Sequence, residues 1–330
     1  MRYITFSKNI FIPVTNVCRN ACGYCGFKAR NLEEAYVIDK REFLEGITNC
    51  GAATEALFTA GEKPELAIFS HFFIDRLSSS GCSSLVEYTK ELCKVAITHG
   101  LLPHCNLGVL SRAELKELRA VNASMGLMLE TTSELEAHKN SPGKDPKRRL
   151  AMLEEAGRLK IPFTTGILVG IGEEKGDYIR ALEAIKSVHE KYGHIQEVII
   201  QPFFPKSFTP MKNKKPPSFE EMKEVVRAAK EILPNAIAIQ VPPNLTSPTE
   251  LIELGASDLG GIAEKTIDYI NPESPWPREG ELRRRVAPFE LRERLPIYPR
   301  YIKKGWYSEA IRPLIERYAD EEGLRKRDGF

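Results

Sequence analysis

Ile10-Phe11-Ile12-Pro13-Val14-Thr15-Asn16 is an apolar run of strand length, and one residue later Cys18-Arg19-Asn20-Ala21-Cys22-Gly23-Tyr24-Cys25 crowds three cysteines into a loop. Thiols at the carboxyl end of a strand stand where parallel α/β folds put their chemistry. Working outward, strand-length runs alternate with amphipathic stretches. Helices are expected over residues 39–50, 84–100, 111–121, 145–159, 174–192, 218–233 and 247–255. Strands are expected over 10–16, 55–61, 101–109, 124–130, 162–170, 195–201 and 236–242, with a short last strand ending near Asp258. Capping boxes at Asp39/Glu42, Ser111/Glu114 and Ser218/Glu221 satisfy the first free amides of three of the helices. Strand-then-helix units in series imply right-handed crossovers and parallel strands. The expected fold is therefore a closed (β/α)8 TIM-type barrel over residues 1–277. Residues 278–330 are expected as a C-terminal helical extension packed on it, with a Pro- and Arg-rich stretch at 272–300 and an amphipathic helix at 308–322.

The chain has 330 residues, 47 Lys+Arg against 45 Asp+Glu, and a formal charge of +2. That balance argues against a nucleic-acid binder, which needs a basic surplus on one face. The most apolar stretch, 161–171, is about half the length of a spanning helix, so no membrane partner is expected. No secretory leader is read at the N-terminus, and the expected location is cytoplasmic. Seven cysteines, three of them crowded together, point to metal rather than disulfides.

Three thiolates spaced C-x3-C-x2-C can wrap three corners of a [4Fe–4S] cubane and leave the fourth iron open. A zinc loop is the alternative. It needs a fourth ligand, and Cys50 and His71 are far along the chain. Cys50, Cys82, Cys93 and Cys105 read as small buried hydrophobes. Polar residues gather at expected strand ends. His104 and Asn106 share a face, His104 as a candidate catalytic group, and Glu130 closes the fourth strand. Gln201, Gln240 and Asp258 are candidate contacts for a polar heterocycle. Arg148 and Arg149 read as solvated helix charges, and Trp276 as either a roof over the site or plain packing.

The cysteine loop, with Tyr24 before its last cysteine, resembles the signature of the radical S-adenosylmethionine (SAM) superfamily. In that superfamily the open iron chelates SAM, and reduction releases a 5′-deoxyadenosyl radical. Thr59-Ala60-Gly61-Glu62 resembles its Gly-Gly-Glu element, which holds the methionine amino group, with Ala60 in place of the first glycine. Gly166-Ile167-Leu168-Val169-Gly170-Ile171-Gly172-Glu173 resembles its G-x-I-x-G-x-x-E adenine element, with Glu173 one place early. The resemblance implies Cys18, Cys22 and Cys25 as cluster ligands. It also implies Gly61, Glu62, Asn106, Glu130, Gly166, Gly170 and Gly172 as SAM contacts.

Further blocks narrow the likeness: Ser141-Pro142-Gly143-Lys144-Asp145-Pro146, Gln196-Glu197-Val198-Ile199-Ile200-Gln201, Gln240-Val241-Pro242-Pro243-Asn244 and Asp258-Leu259-Gly260-Gly261. With the cysteine loop and the Thr164–Glu173 block, they resemble the CofG family, subunit 1 of FO synthase, from about residue 11 to 277. The family makes 7,8-didemethyl-8-hydroxy-5-deazariboflavin, the chromophore of coenzyme F420. A CofH-type partner supplies the hydroxybenzyl adduct, and the CofG-type subunit acts as a lyase by hydrogen abstraction and ring closure with ammonia loss. The resemblance implies one [4Fe–4S] cluster, SAM, a small-molecule substrate and a low-potential electron donor. The rival readings are a sister radical enzyme (CofH-like, a menaquinone-pathway cyclase or a biotin-synthase relative) and a non-enzymatic iron–sulfur or zinc protein.

Overall fold

A computed structural model of the chain describes residues 3–327. Strands β1 (Tyr3–Thr15), β2 (Glu55–Ala60), β3 (Leu102–Asn106), β4 (Ser124–Gly126), β5 (Phe163–Val169), β6 (Ile195–Pro202), β7 (Ala238–Gln240) and β8 (Asp258–Ile262) pair in sequence order, all parallel. The sheet closes because β1 pairs with β2 along one stretch (Asn9 opposite Glu55) and with β8 along another (Thr5 opposite Asp258). The expected eight-stranded barrel is present.

Helices α1 (Lys40–Thr48), α2 (Ser70–Ser78), α3 (Leu85–Thr98), α4 (Arg112–Arg119), α5 (Pro146–Arg158), α6 (Lys175–Tyr192), α7 (Phe219–Ile232) and α8 (Pro248–Glu253) supply the crossovers. Each helix presents an apolar stripe to the sheet; in α7 it is Met222, Val225, Val226 and Ala229, the i, i+3, i+4, i+7 spacing of one helical face. Full capping boxes form at Ser111/Glu114 and Ser218/Glu221, whereas Asp39 only accepts from the Glu42 amide. The helix α2 lies in a stretch for which the sequence reading assigned no element.

The C-terminal part departs most from expectation. After α9 (Glu279–Val286) comes a ninth strand, β9 (Glu290–Glu293), parallel to the start of β1 from Tyr3 opposite Glu290 to Phe6 opposite Glu293. This pairing explains why β1 begins at Tyr3 rather than near Ile10. Thr5 faces Asp258 and Arg292 at once, so β9 lies on the edge of β1 opposite β8. The chain then enters the amino end of the barrel. Ser124 Oγ and Gln196 Nε2 donate to Pro296 O (2.7 and 2.9 Å), and Leu295 and Ile297 are fully buried. Helices α10 (Pro299–Lys303) and α11 (Arg312–Tyr318) follow, and Tyr301, Leu314 and Ile315 join Leu102 and Ala123 in a second core under the barrel. The expected helix at 308–322 is shorter, since Pro313 fixes its start and the chain turns back at Asp320.

Candidate active site

The cysteine loop leaves β1 at the carboxyl face and is tied down along its length. Asn16 bridges its two ends, donating to Glu34 O (2.8 Å) and accepting from Tyr36 N (2.9 Å). Asn20 Oδ1 accepts from Gly143 N (2.9 Å), Ser141 Oγ accepts from Ala21 N (3.0 Å) and Ala137 O accepts from Gly23 N (2.8 Å). The segment 137–143 thus serves as the bed of the loop. Gly61 lets β2 press against it: a Cβ there would lie 2.1 Å from Val17 O, a contact no other residue tolerates.

Cys18, Cys22 and Cys25 are free thiols lining one cavity of about 380 Å³. Burial pushes Cys18 up to about 11 against amide donors from Asn20 (3.4 Å) and Glu62 (3.2 Å), and burial also raises Cys22. Such thiols ionise when a bound cation compensates for the lost water. Among the described residues no three His, Cys, Asp or Glu side chains converge closely enough for one metal ion. Three free thiols around one cavity that do not converge on a single point fit a multi-iron cluster better than a closed zinc site.

Two buried carboxylates flank the cysteines. Glu62, 4% exposed, accepts from Arg19 Nε and Nη2 (3.0 and 2.7 Å) and from Val109 N (3.1 Å), with Arg149 Nη2 at 3.6 Å. Glu130 has left-handed backbone (φ 68°), locked by Gly166 O accepting from its amide (2.9 Å) and by its own carbonyl accepting from Leu168 N (3.1 Å). Its carboxylate takes bonds from Tyr24 Oη and Lys144 Nζ, with His138 Nε2 at 3.0 Å. Burial opposes its charge, yet Lys144, Arg149 and His138 hold it well below the usual carboxylate range. Glu130 therefore remains an anion, and both carboxylates line the cavity.

The lining also carries amides. Asn106, Gln201, Gln240 and Asn244 belong to it, as does Trp276. Asn244 Nδ2 donates to Asp268 Oδ2 and Ser274 O (both 3.1 Å), and Lys206 Nζ donates to Asn271 Oδ1 (2.8 Å). Apolar side chains such as Phe11, Leu57, Met128 and Phe203 fill the rest of the lining.

Cys18, Cys22, Cys25, Gly61, Glu62, Asn106, Glu130, Gln201 and Gln240 thus meet at one cavity, and several other candidates stand elsewhere. Asp258 is a correction: it opens β8 at the amino end of the barrel, where Arg294 Nε (2.6 Å) and Nη2 (2.9 Å) donate to it. His104 is another. Its Nδ1 lies 2.7 Å from Ser124 Oγ, whose own proton goes to Pro296 O, so Nδ1 carries the ring proton and donates. Burial, then Arg294, pushes His104 down to about 3, and a Cβ on Gly126 would lie 3.0 Å from Nε2; it is a neutral packing histidine outside the cavity lining.

Gly166, Gly170 and Gly172 do not line the cavity. Gly166 makes room for Met128, which does; the other two have φ of +99° and +121° in a turn closed by the Glu173 carboxylate. Arg149 is the third correction. Far from solvated, it is 3% exposed and donates to Gly143 O (2.8 Å) and Met128 O. Its signal was its place on the apolar stripe Arg149, Met152, Leu153, Ala156. Lys144 and His138 carried no local signal. Trp276 does line the cavity, and of the four remaining cysteines Cys93 and Cys105 are buried and face each other at 3.7 Å.

Comparison with known proteins adds sequence relatives and a fold match. The family model of the radical SAM superfamily matches residues 12–185. A 7,8-didemethyl-8-hydroxy-5-deazariboflavin synthase from Methanococcoides burtonii is 54% identical over 329 residues, spanning 98% of each chain. One from Archaeoglobus fulgidus is 51% identical over 328 residues, spanning 99% of this chain and 100% of its own. Among solved structures, the FeFe-hydrogenase maturase HydG from Carboxydothermus hydrogenoformans aligns with a TM-score of 0.68 at 19% identity, over 90% of this chain and 69% of that one, a likeness of fold.

Proposed function

The chain belongs to the radical SAM superfamily and, within it, to the 7,8-didemethyl-8-hydroxy-5-deazariboflavin synthases of coenzyme F420 biosynthesis, and on that premise we propose how its residues divide the work. The reaction is closure of the deazaflavin ring from 5-amino-5-(4-hydroxybenzyl)-6-(D-ribitylimino)-5,6-dihydrouracil, by hydrogen abstraction and then cyclisation with loss of ammonia. The observation that carries this reading is a single cavity lined by three free thiols, two buried carboxylates held by cations, and several amide side chains.

Cys18, Cys22 and Cys25 would hold one [4Fe–4S] cluster, and Glu62 and Glu130 would receive the cationic and hydroxyl groups of SAM. When bound, the pair supplies a 5′-deoxyadenosyl radical as hydrogen acceptor. Glu62 is pre-oriented by Arg19 and Val109 N, and Glu130 by Tyr24 and Lys144, so neither acid must reorganise on binding. Gln201, Gln240 and Asn244 offer amide donors and acceptors to a neutral, hydroxyl-rich substrate, for which a phosphate-binding arginine cluster would be ill suited. Phe11, Leu57, Met128 and Phe203 would exclude water from the cavity once it is filled. The partners in this reading are a CofH-type subunit supplying the adduct and a low-potential electron donor. Free thiols throughout suit a reducing, cytoplasmic setting, and among the described residues no helix is long and apolar enough to cross a membrane.

The test is anaerobic reconstitution followed by incubation with dithionite, SAM and the hydroxybenzyl adduct. Fluorescent deazaflavin should form together with 5′-deoxyadenosine, and Cys22→Ala should lose both the cluster absorption and turnover. Deoxyadenosine without deazaflavin would sink the assignment.

A further inference from the structure

We propose that the segment following β6, from Phe204 to Lys215, is the docking surface for an acidic protein that brings single electrons to the cysteine loop. This rests on the radical-enzyme reading, because a chain needing an electron at that loop needs a carrier to deliver it.

Between Pro205 and Pro217 the sequence holds Lys206, Lys212, Lys214 and Lys215 and no acid, in a chain otherwise nearly balanced in charge. Lys212, Lys214 and Lys215 are exposed, and none has an ion-pair partner among the described residues. Beside them Phe208 stands in solvent at 47% exposure, and Phe204, at 37%, lies where the segment leaves the cavity that it lines. The Arg30 guanidinium lies 4.5 Å from the Phe208 ring centroid. Exposed aromatics fringed by unpaired cations are the composition of an interface rather than of ordinary surface.

The segment also rests directly on the loop it would serve. Met211 N donates to Gly23 O (3.1 Å), and the Met211 side chain stands 3.5 Å from the place of a Gly23 Cβ. Lys206 and Phe208 face Gly26 in the same way, at 3.1 and 3.5 Å. Gly23 follows Cys22 and Gly26 follows Cys25. A protein seated on this segment is therefore separated, at Phe208 and Met211, from the glycines that follow Cys25 and Cys22 by one layer of side chains. The basic fringe fits an acidic occupant, and the contact of the segment with the cysteine loop fits one that delivers electrons there. One electron leaves the reduced carrier and enters the oxidised cluster; no bond is made or broken and no proton moves.

Reduced flavodoxin, an acidic flavin-bearing one-electron carrier, is the probe. Its rate of reducing the reconstituted full-length chain is followed as bleaching near about 400 nm, and its binding is titrated at low and high salt. The charge-reversing triple variant Lys212→Glu, Lys214→Glu, Lys215→Glu should slow that reduction at least about tenfold at low salt. It should also flatten the salt dependence seen in the wild type, while leaving deazaflavin formation with dithionite unchanged. Phe208→Ser should weaken binding without altering the salt slope.

The proposal is overturned if flavodoxin reduces the triple variant as fast as the wild type, or if the variant also fails with dithionite. Loss of binding to the hydroxybenzyl-transferring subunit with carrier reduction intact would likewise overturn it, in that subunit's favour. Failure of the underlying function would show separately, as a reducible cluster that makes no deazaflavin with dithionite.

Discussion

Gly143→Ala tests whether the bed of the cysteine loop sets the geometry of Glu62. An ideal Cβ at position 143 would stand 1.6 Å from Glu62 Oε1 and 2.2 Å from its Cδ, so one of the two must move by more than an ångström. The bed resists: Gly143 N donates to Asn20 and Gly143 O accepts from Arg149 Nε. Displacing Glu62 instead breaks at least one of its bonds to Arg19 and Val109 N. A hydrogen bond to a charged group contributes about 1.5–3 kcal/mol. If the loss falls on the SAM-binding form, Kd for SAM rises about tenfold to a hundredfold. Equilibrium dialysis of radiolabelled SAM on the reconstituted variant measures this, with visible absorption checking that the cluster is present. Gly46→Ala, with nothing within 4 Å of its added Cβ, is the control and should bind SAM as the wild type does. Unchanged SAM affinity in Gly143→Ala with an intact cluster would refute the assignment of Glu62.

Three further outcomes follow from the buried charges. Arg294→Met leaves Asp258 and Glu197 without their cation and should lower stability by about 3–5 kcal/mol in urea melts at pH 8; the loss should shrink at pH 5, where the stranded acids take up protons. Burial raises Glu55 from 4.5 to about 7 against its bond from Ser7 and the nearby Arg294. The folded chain keeps a proton the unfolded chain has lost, so stability should fall by on the order of 3 kcal/mol as pH rises from about 4.5 to about 7 and then level off; in Glu55→Gln the urea midpoint should lose that component. Arg149→Lys removes the fork that reaches Gly143 O, Met128 O and Glu62 together, and should weaken SAM binding several-fold with the cluster retained, as read by dialysis and visible absorption.

The legible parts of the site were those whose signal is local. Three cysteines within eight positions, a Gly-Glu pair at a strand end, and Asn106, Gln201 and Gln240 at the ends of period-two runs can all be read without knowing what packs on what. The misreadings came from contacts between distant residues. Asp258 stands in a run ending in glycines and looked like a strand end, but the strand runs forward from it, because Thr5 and Arg294 meet it at the amino end. His104 shares a face with Asn106, yet two residues along a strand are enough to pass from the cavity into the layer sealed by Pro296. Nothing near Glu290 announces a strand, since its partner is Tyr3, at the other end of the chain.

The two ends of the barrel use buried charge in opposite ways, and the difference bears on radical chemistry. At the amino end Arg294, 3% exposed, is donor to Asp258 and Glu197 and belongs to the same chain that fills the opening, so these groups are sealed behind Leu295 and Ile297. Such a network is costly to open, because each carboxylate would be stranded in low dielectric. At the carboxyl end Glu62 and Glu130 also sit against cations, but both line the cavity, so those cations can be supplemented by a ligand without exposing a stranded charge. The barrel interior is thereby closed from below and open from above. A hydrogen-abstracting species formed beside the cysteines would be shielded from water on the side of the filled amino end of the barrel, where Leu295 and Ile297 are fully buried. Removal of the tail beyond residue 287 should therefore destabilise the fold itself, unpairing the start of β1 and stranding Asp258 and Glu197, and show as a lower urea midpoint.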